Sequence, residues 1–385
     1  MGERFVAEVG PVAHGGHCVA RVTLPDEERP RVVFVRHALP GEEVVLEITE
    51  GTDRDRFWRA DAVEVRRAAE GRVEAPCPVA GPGGCGGCDF QHVRLDAQRR
   101  LKGDVVAEQL RRLAGLDLLV EVEAVAGDLP AQLAGLRWRT RVRFVRTPDG
   151  RPAMRRHRSH DVVAVDDCLI AHPDAREPRP GTLAERVEAG APGAGHTFDV
   201  AADGFWQVHP GAPRTLVTTV LEMLDPRPGE SALDLYGGVG LFAAFLAERL
   251  GPQGRVATVE GDVTASTYAR TNLAAAPGTV EVRQGDVAQV LAEGLETDGD
   301  AGTVDLVVLD PPREGAGREV VAAVAARRPR AVAYVACDPA ALARDVAYLA
   351  ESGYALASLR AFDLFPMTHH VECVALLVPA GNLAR

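Results

Sequence analysis

The sequence predicts an α/β protein in which a mostly parallel, doubly wound sheet follows a small β-barrel and an α+β middle region. Three patterns in the 385-residue chain indicate this arrangement. From about Gly229, apolar β-type runs alternate with helical stretches, as in parallel sheets covered on both faces. Val-rich runs fill the N-terminal region, and a Gly-rich cysteine cluster opens the middle one. We therefore divide the chain into residues 1–66, 67–200 and 201–385.

The N-terminal region alternates short Val-rich runs with Gly and Pro, which is typical of a small antiparallel β-barrel. Two of its segments, residues 15–21 and 33–42, resemble the TRAM domain, an OB-like module often attached to RNA-modifying enzymes. The predicted strands of this barrel are Phe5–Val9, Cys18–Val22, Arg31–Val35 and Glu43–Ile48.

The middle region begins with three cysteines in a Gly/Pro-rich loop, spaced Cys77-x7-Cys85-x2-Cys88, and Cys168 follows after a gap of 79 residues. The chain has seven cysteines, an odd number, and no secretory pattern near its N-terminus, which argues against a disulfide framework. Four thiolates are the usual ligands of a 4Fe–4S cluster and also form tetrahedral zinc sites. The spacing alone does not separate these two alternatives.

Further along the middle region, the pattern predicts a helix from Leu95 to about Leu113 and strands at Arg137–Arg146 and His160–Val165. As a strand, residues 137–146 would project alternate arginines from one face, which suits contacts with phosphates. The alternative is a solvated strand paired with acids elsewhere. Residues Pro178–Gly195 are rich in Pro, Gly and Ala and are predicted as a linker or surface loop.

The charge distribution favours a nucleic-acid partner only locally. The formal net charge is -12 at pH 7, and an acidic surface repels phosphates. Between Arg94 and His160, however, 15 Lys or Arg stand against 8 Asp or Glu. We find neither a signal peptide pattern nor an apolar run of about 18 residues that could span a bilayer. We therefore expect a cytoplasmic monomer without a membrane partner, in which one region binds a polyanion.

The C-terminal region carries a candidate nucleoside site. Its first strand leads into the glycine-rich turn Asp234–Phe242, which opens a helix and lets a ligand approach the backbone. Its second strand ends in Glu260, where an acid accepts hydrogen bonds from ribose hydroxyls in both dinucleotide and S-adenosylmethionine enzymes. The last two of the seven predicted strands form a hairpin. The seven are Ala232–Tyr236, Arg255–Glu260, Val280–Gln284, Val304–Leu309, Arg330–Ala336, Tyr354–Phe362 and Val371–Val378.

The end of the fourth strand favours one of these two cofactors. It reads Asp310-Pro311-Pro312-Arg313, a carboxylate followed by a rigid loop at the edge where open α/β sheets bind ligands. Methyltransferases that act on planar bases commonly carry an Asp/Asn-Pro-Pro element there, and dehydrogenases usually do not. The sequence therefore favours S-adenosylmethionine.

Two further residues are candidates for covalent catalysis. Cys337 follows the fifth strand and precedes a helix, whose N-terminal dipole favours a thiolate. Glu372 enters an apolar run of the final hairpin, where desolvation would raise the pKa of its carboxyl group and suit it to proton transfer. The alternatives are a packed cysteine and a solvated charge on an edge strand. Cys18 and Cys373 have no evident role and are expected to be buried small side chains.

Together these segments resemble the RNA 5-methyluridine methyltransferase family, whose catalytic domain has the class I fold with seven strands. The match runs from Phe205-Trp206-Gln207-Val208 to Phe365–Glu372. The resemblance implies cofactor contacts from Gln207, Tyr236, Glu260 and Asp310, with Gly285-Asp286 near the adenine. It implies that Cys337 is the nucleophile and Glu372 the proton acceptor. It also implies a 4Fe–4S cluster, in preference to zinc and with a structural role, on Cys77, Cys85, Cys88 and Cys168.

The chemistry that the resemblance implies uses both Cys337 and Glu372. The thiolate adds to carbon 6 of uracil, carbon 5 then takes the methyl group, and the glutamate removes the carbon-5 proton before the thiolate leaves. A base stacked in a helix is inaccessible, so the target must be flipped out or lie in a loop. Phe205, Trp206 and Phe365 are candidates for stacking on it, with a place in the core as the alternative.

Two rival functions are weighed against this one. RNA cytosine-5 methyltransferases usually place a Pro-Cys nucleophile after the fourth strand, where this chain has Pro311-Pro312. A catalytically silent RNA-binding protein would not need both Cys337 and Glu372 in matching contexts. The TRAM-like region and the cysteine cluster favour ribosomal RNA over transfer RNA as the substrate.

Overall fold

The computed structural model describes residues 2–24, 29–52, 54–127, 135–189, 195–297 and 302–382. Their contacts group the chain into two compact units. The boundaries predicted at residues 66 and 200 do not coincide with the boundaries of these units. The first unit comprises Met1–Val105, Leu129–Glu177 and Phe365–His370, and the second comprises Val106–Asp128, Pro178–Leu364 and Val371–Arg385.

A closed five-stranded barrel opens the first unit, which confirms the predicted β-barrel. Its strands follow the order β1-β2-β3-β5-β4, with β3 and β5 parallel and the other pairs antiparallel. Closure leaves no unpaired strand edge. Val33, Leu46 and Trp58 are buried in its core. The strands are β1 (Arg4–Ala13), β2 (His17–Val22), β3 (Arg31–Arg36), β4 (Glu43–Glu50) and β5 (Phe57–Arg67).

Helix α1 (Leu95–Gln109) continues into a π-helical turn, Leu110–Ala114, and ends at Gly115, whose φ of 68° is left-handed. The helix predicted from Leu95 to about Leu113 is therefore confirmed. Leu101 and Val105 of α1 pack against the barrel core. The rest of the first unit has short strands: β7 (Arg139–Arg141), β8 (Val145–Arg146), β9 (Pro152–Arg155), β10 (Val162–Ala164) and β11 (Ala171–Arg176).

The single strand predicted at Arg137–Arg146 is wrong, because the chain leaves one sheet and enters another within it. β7 pairs in parallel with β11, whereas β8 pairs with β9. Arg137 has a left-handed φ of 57°, and its guanidinium donates to Asp167 Oδ1 at 2.7 Å. The arginines therefore do not form one row on one strand, although Arg143 and Arg146 are exposed.

The linker predicted at Pro178–Gly195 is also wrong, since most of its described residues belong to a hairpin. β12 (Thr182–Glu188) pairs antiparallel with β13 (Gly195–Ala201). The Pro and Gly residues that suggested a linker flank β12 and do not interrupt it. Residues 190–194 lie outside the described residues.

The second unit is built on an eight-stranded sheet in the order β16-β15-β14-β17-β18-β20-β19-β6. Only β20 runs antiparallel to its neighbours. All seven predicted strands are confirmed, and β6 (Val122–Ala124) is an eighth that the sequence did not predict. The seven are β14 (Ser231–Leu235), β15 (Arg255–Glu260), β16 (Thr279–Gln284), β17 (Leu306–Leu309), β18 (Ala331–Ala336), β19 (Tyr354–Asp363) and β20 (Glu372–Pro379).

Helices cover both faces of this sheet, as its fully buried strands require. Every residue of β14, β17 and β18 is buried. α5, α6 and α7 share one core with the sheet, while α2, α3 and α4 pack on the strands from the other side. The helices are α2 (Ala212–Leu224), α3 (Leu241–Leu250), α4 (Val263–Asn272), α5 (Val287–Glu293), α6 (Gly317–Ala326) and α7 (Pro339–Glu351). Among the described residues, no helix is long and apolar enough to cross a membrane.

Candidate active site

The glycine-rich turn after β14 can only be built with glycine at its second position. A Cβ on Gly237 would lie 2.1 Å from Thr258 Oγ1, far closer than two unbonded heavy atoms allow. Tyr236, just before it, adopts a left-handed φ of 63°, which is uncommon for a residue with a side chain. The turn therefore exposes the backbone of Gly238 at the carboxyl end of the sheet.

Glu260, the last residue of β15, holds this turn in place. Its Oε2 accepts a hydrogen bond from Gly238 N at 2.8 Å, and its Oε1 accepts one from Asp262 N at 2.7 Å. Burial raises the pKa of Tyr236 to about 12, and the charge of Asp286 adds to the shift, so that carboxylate lies close to the phenol. A nucleoside ligand at this edge would meet an acid, a phenol and the backbone of the glycine-rich turn.

Asp234 is a residue of this site to which the sequence assigned no role. Its side chain is fully buried at the end of β14, and its Oδ2 accepts a hydrogen bond from Ala243 N of α3 at 3.0 Å. Burial raises the pKa of the carboxyl group to about 7, and the charge of Glu260 acts in the same direction. Its position in the sequence, three residues before Gly237, could have identified it.

Asp310 follows β17, and its backbone N–H donates to Leu235 O at 3.2 Å. Burial raises the pKa of its carboxyl group to about 7, and the charges of Asp234 and Glu260 raise it further. Three carboxyl groups from three adjacent parallel strands therefore share one region at the carboxyl edge. A cation bound among them would relieve their mutual repulsion.

Cys337 and Glu372 stand side by side at the same edge. β18 and β20 are antiparallel, and Ala336 pairs with Cys373, so the next position along each strand brings Cys337 opposite Glu372. Burial raises the pKa of the Cys337 thiol to about 12, with further contributions from Glu372 and Asp310. Burial also raises the pKa of Glu372 well above its usual value, as the sequence predicts.

The helix after Cys337 does not by itself make the thiol acidic. Asp338 is the N-cap of α7 and accepts hydrogen bonds from Ala340 N and Ala341 N at 3.0 and 2.9 Å. Its negative charge adds to the effect of burial, and only Arg313 opposes the rise in the pKa of Cys337. A thiolate at this position therefore needs an additional positive charge.

A buried tyrosine and aspartate, which the sequence did not single out, hold the loop after Pro312. Asp345 Oδ2 accepts hydrogen bonds from the Tyr334 hydroxyl at 2.6 Å and from Ala316 N at 2.7 Å. Both side chains are fully buried. They fix the loop that carries Arg313, the cation that faces the thiol of Cys337. A carboxylate within the apolar face of α7 was the pattern that could have revealed them.

Gln207 and three aromatic side chains are also predicted to take part in the site. Gln207 lies half-buried in the segment between β13 and α2, and its contact with the cofactor stays a prediction. Of the aromatic candidates for stacking on a base, Phe205 is 75% exposed. Trp206 packs on Phe198, and Phe365 contacts the ring of Trp138 edge to face. Exposure makes Phe205 the stronger candidate.

The four clustered cysteines lie in the first unit and line one cavity of about 140 Å³. Gly87 N donates to Cys85 Sγ at 3.3 Å, and Gln91 Nε2 donates to Cys88 Sγ at 3.4 Å. Burial raises the pKa values of Cys85, Cys88 and Cys168, and the neighbouring thiols add to each shift. Among the described residues, no three His, Cys, Asp or Glu are grouped closely enough to hold one metal ion.

Comparison with known proteins identifies the family. A model of the tRNA (uracil-5-)-methyltransferase family matches residues 194–379. An uncharacterized RNA methyltransferase of Streptomyces avermitilis is 46% identical, and the match covers 99% of this chain and 100% of that protein. The 23S rRNA (uracil(1939)-C(5))-methyltransferase RlmD of Acidithiobacillus ferrooxidans is 31% identical, covering 90% and 92%. The chain belongs to the RNA (uracil-5-)-methyltransferase family.

A solved structure has the same fold as this RNA (uracil-5-)-methyltransferase. Pyrococcus abyssi tRNA (uracil-54, C5)-methyltransferase, in complex with S-adenosyl-L-homocysteine, superposes with a TM-score of 0.67 over 96% of this chain and 99% of that one, at 21% identity. The predicted α/β fold with an N-terminal barrel is therefore confirmed. Membership of the family makes the protein an S-adenosylmethionine-dependent enzyme that acts on RNA.

The residues at the carboxyl edge fit such a cofactor. Glu260 ends the second strand of this region, the position at which acids accept hydrogen bonds from ribose hydroxyls in related folds. Asp234 and Asp310, whose pKa values burial raises to about 7, would be stabilised in their ionised form by the sulfonium charge.

Proposed function

We propose that this enzyme forms 5-methyluridine in RNA by covalent catalysis, with Cys337 as the nucleophile and Glu372 as the base. The Cys337 thiolate adds to carbon 6 of the uracil ring, which makes carbon 5 nucleophilic. S-adenosylmethionine supplies the methyl group that carbon 5 takes. Glu372 then accepts the proton from carbon 5, the carbon 5–carbon 6 double bond reforms, and the thiolate leaves.

The observation that carries this proposal is the register of β18 and β20, in which Ala336 pairs with Cys373, so that Cys337 directly after β18 comes opposite Glu372 at the start of β20. Addition and proton removal occur at neighbouring ring carbons, so the two groups must face the same base. Burial disfavours the charged form of both groups in the ligand-free protein, since it raises the pKa of the thiol to about 12 and the pKa of the carboxyl group well above its usual value. A sulfonium bound near Asp310 would favour the charged form of each.

Replacing the nucleophile tests the proposal most directly. We expect Cys337→Ala to lower the rate of methyl transfer by about 10⁴-fold or more, because the carbon-5 nucleophile no longer forms. Binding of S-adenosylmethionine, measured by calorimetry, should stay near the wild-type value. Cys373→Ala, which removes a neighbouring buried thiol, should retain activity. Normal turnover by Cys337→Ala would contradict the mechanism.

We further propose that Cys77, Cys85, Cys88 and Cys168 hold a 4Fe–4S cluster with a structural role. Four thiols line one cavity, and its volume of about 140 Å³ is several times the 10–15 Å³ that one water-sized group occupies. Four thiolates suit a 4Fe–4S cluster or a zinc ion, and the resemblance stated above favours the cluster. A cation there would ionise thiols whose pKa values burial raises.

The protein prepared without oxygen tests the cluster. We expect a brown sample with broad absorbance near 400 nm and about four irons and four sulfides per chain. A colourless anaerobic preparation that contains one zinc per chain would contradict the cluster and leave four thiolates around a zinc ion.

We propose that the RNA substrate is ribosomal and that the barrel is a TRAM domain that helps to bind it. A ribosomal RNA methyltransferase among the relatives and the closed five-stranded barrel support this choice. We also expect a monomer in the cytoplasm. Mapping 5-methyluridine in RNA from cells that lack the protein tests the substrate, and loss of the modification from transfer RNA alone would contradict it.

A further inference from the structure

The turn between β19 and β20, residues Phe365–His370, is held by buried side chains of α1. Lys102 Nζ donates to Phe365 O at 3.0 Å, and Met367 N donates to Gln98 Oε1 at 2.8 Å. Gln98 is fully buried and Lys102 almost so. Two polar side chains of one helix thus fix two backbone groups of the turn.

The segment after Cys88 holds the other side of the same turn. Met367 O accepts hydrogen bonds from Asp89 N at 2.9 Å and Phe90 N at 3.0 Å. Asp89 Oδ2 accepts from His369 N at 3.1 Å and lies 2.6 Å from His369 Nδ1. A Cβ on Gly16 would lie only 2.6 Å from His369 Cβ, so a glycine of the barrel leaves the space for this histidine.

The turn adopts a conformation that it would not hold alone. Met367 has a left-handed φ of 65°, which is unfavourable for a residue with a side chain and persists only where the surroundings enforce it. Its N–H, its carbonyl oxygen and its sulfur all have partners outside the turn, since Gln98 Nε2 also lies 3.2 Å from Met367 Sδ. We call Asp89, Gln98 and Lys102 the hairpin clamp.

We propose that the hairpin clamp positions Glu372 for removal of the carbon-5 proton. This inference rests on the proposed function, in which Glu372 is the base. Only Val371, a buried residue, separates His370 from Glu372, so a shift of the turn moves the start of β20. Proton removal follows methyl transfer, so loss of the clamp should slow the last step and spare the earlier ones. Asp89 and His369 are then positioning residues.

Single-turnover measurements with a labelled methyl group test the proposal in the metal-loaded full-length enzyme. We would compare Asp89→Ala, Asp89→Asn, His369→Ala and the double variant Asp89→Ala/His369→Ala, and would follow the denaturant-stable protein–RNA adduct over time. A displacement of about 1 Å can cost about 100-fold in a proton-transfer step. We therefore expect Asp89→Ala and His369→Ala to release methylated RNA about 10- to 100-fold more slowly, with the adduct accumulating.

Three comparisons separate positioning from a general loss of structure. Asp89→Asn keeps an acceptor for His369 N and should recover most of the release rate. The double variant should be no slower than the slower single variant, because both changes break one contact. Glu248→Gln alters a similar pair, in which His196 Nε2 lies 2.9 Å from Glu248 Oε2, and should release product at the wild-type rate.

Iron content and binding of S-adenosylmethionine should be unchanged in every variant. Equal slowing of adduct formation and release, or wild-type release by Asp89→Ala and His369→Ala, would overturn the role of the clamp. Glu372→Gln serves as the reference, since it should form the adduct and fail to resolve it. If Glu372→Gln accumulates no adduct, the proposed function itself fails, and that outcome is distinct from failure of the clamp.

Discussion

The thiol of Cys337 and the thiols of the cysteine cavity are all partly buried, but they have different neighbours. Cys337 is surrounded by carboxyl groups, with Glu372 and Asp310 the strongest influences after burial. The pKa values of Cys85, Cys88 and Cys168 are each raised by burial and further by neighbouring thiols of the same cavity, with Cys77 acting on all three. Burial opposes ionisation of the thiol in both places, so each site needs a cation to hold a thiolate. We expect the two cations to differ in how long they stay bound.

The neighbours determine which cation suits each site. At Cys337 the carboxyl groups belong to the ends of adjacent strands, where a positively charged cofactor comes and goes with each turnover. Around the cysteine cavity the thiols come from a Gly-rich loop and from Cys168, so a permanent metal centre would also join distant parts of the chain. Under the proposed function, one thiol serves chemistry and four serve structure.

The largest expected effect is a difference in metal content between a variant of the cysteine cavity and a variant of Cys337. Cys88→Ala should lose the iron entirely and lower the midpoint of thermal unfolding by about 10 °C or more, because a metal bound only by the folded state adds its binding energy to stability. Cys337→Ala should keep its full iron content and nearly the same midpoint while losing methyl transfer. Iron analysis and calorimetry measure both.

Cys18→Ala is the matched control, since Cys18 is a buried thiol that donates to Ala38 O at 3.3 Å within the barrel core. It should retain the iron and unfold within a few degrees of the wild type. Iron loss in Cys337→Ala, or its full retention in Cys88→Ala, would remove the distinction between the two sets of cysteines.

The second prediction concerns the glycine-rich turn after β14. Gly237→Ala should weaken binding of S-adenosylmethionine by about 10-fold or more, because the new methyl group would clash with Thr258 Oγ1 and move the turn at a cost of about 1–3 kcal/mol. Calorimetric titration measures the loss. Thr258→Ala removes the clashing oxygen, so the double variant should recover part of the affinity. Unchanged binding by Gly237→Ala would show that the turn does not touch the ligand.

The catalytic half was predictable because its local patterns agree with its tertiary structure. Each predicted apolar run became a strand, the central ones fully buried, and residues at strand ends met at one edge, as in any parallel sheet. Glu260, Asp310 and Cys337 were found in this way. The eighth strand, β6, was missed because Val122–Ala124 is short and pairs with β19, more than two hundred residues later.

The middle region was harder to predict because its elements are short and are stabilised by distant partners. Residues 137–146 have a strand-like pattern, yet β7 pairs with β11 and β8 with β9, which a local pattern cannot show. The burial of Asp345 was missed for a related reason. A charged residue in a helix is usually exposed, and only its bonds to Tyr334 and Ala316 explain its place in the core.

The smallest expected effect is a pH dependence of cofactor binding that the cysteine cavity should not share. Burial raises the pKa values of Asp234 and Asp310 to about 7, so in the ligand-free protein both are neutral at pH 5.5 and mostly ionised at pH 8. A folded-state pKa above the unfolded one stabilises the protein fully at low pH, and this stabilisation is lost as the pH rises through 7. The unfolding free energy of the ligand-free protein should therefore fall between pH 5 and 8.

The sulfonium of S-adenosylmethionine should reverse that loss, because a cation favours the ionised carboxylates. We expect its affinity to rise about 10-fold from pH 5.5 to 8, whereas S-adenosylhomocysteine, which lacks the sulfonium charge, should change much less. Asp310→Asn should flatten the slope for S-adenosylmethionine, and the absorbance of the iron centre should stay constant throughout. Equal pH slopes for the two ligands would mean that the acids at the carboxyl edge do not face the methyl donor.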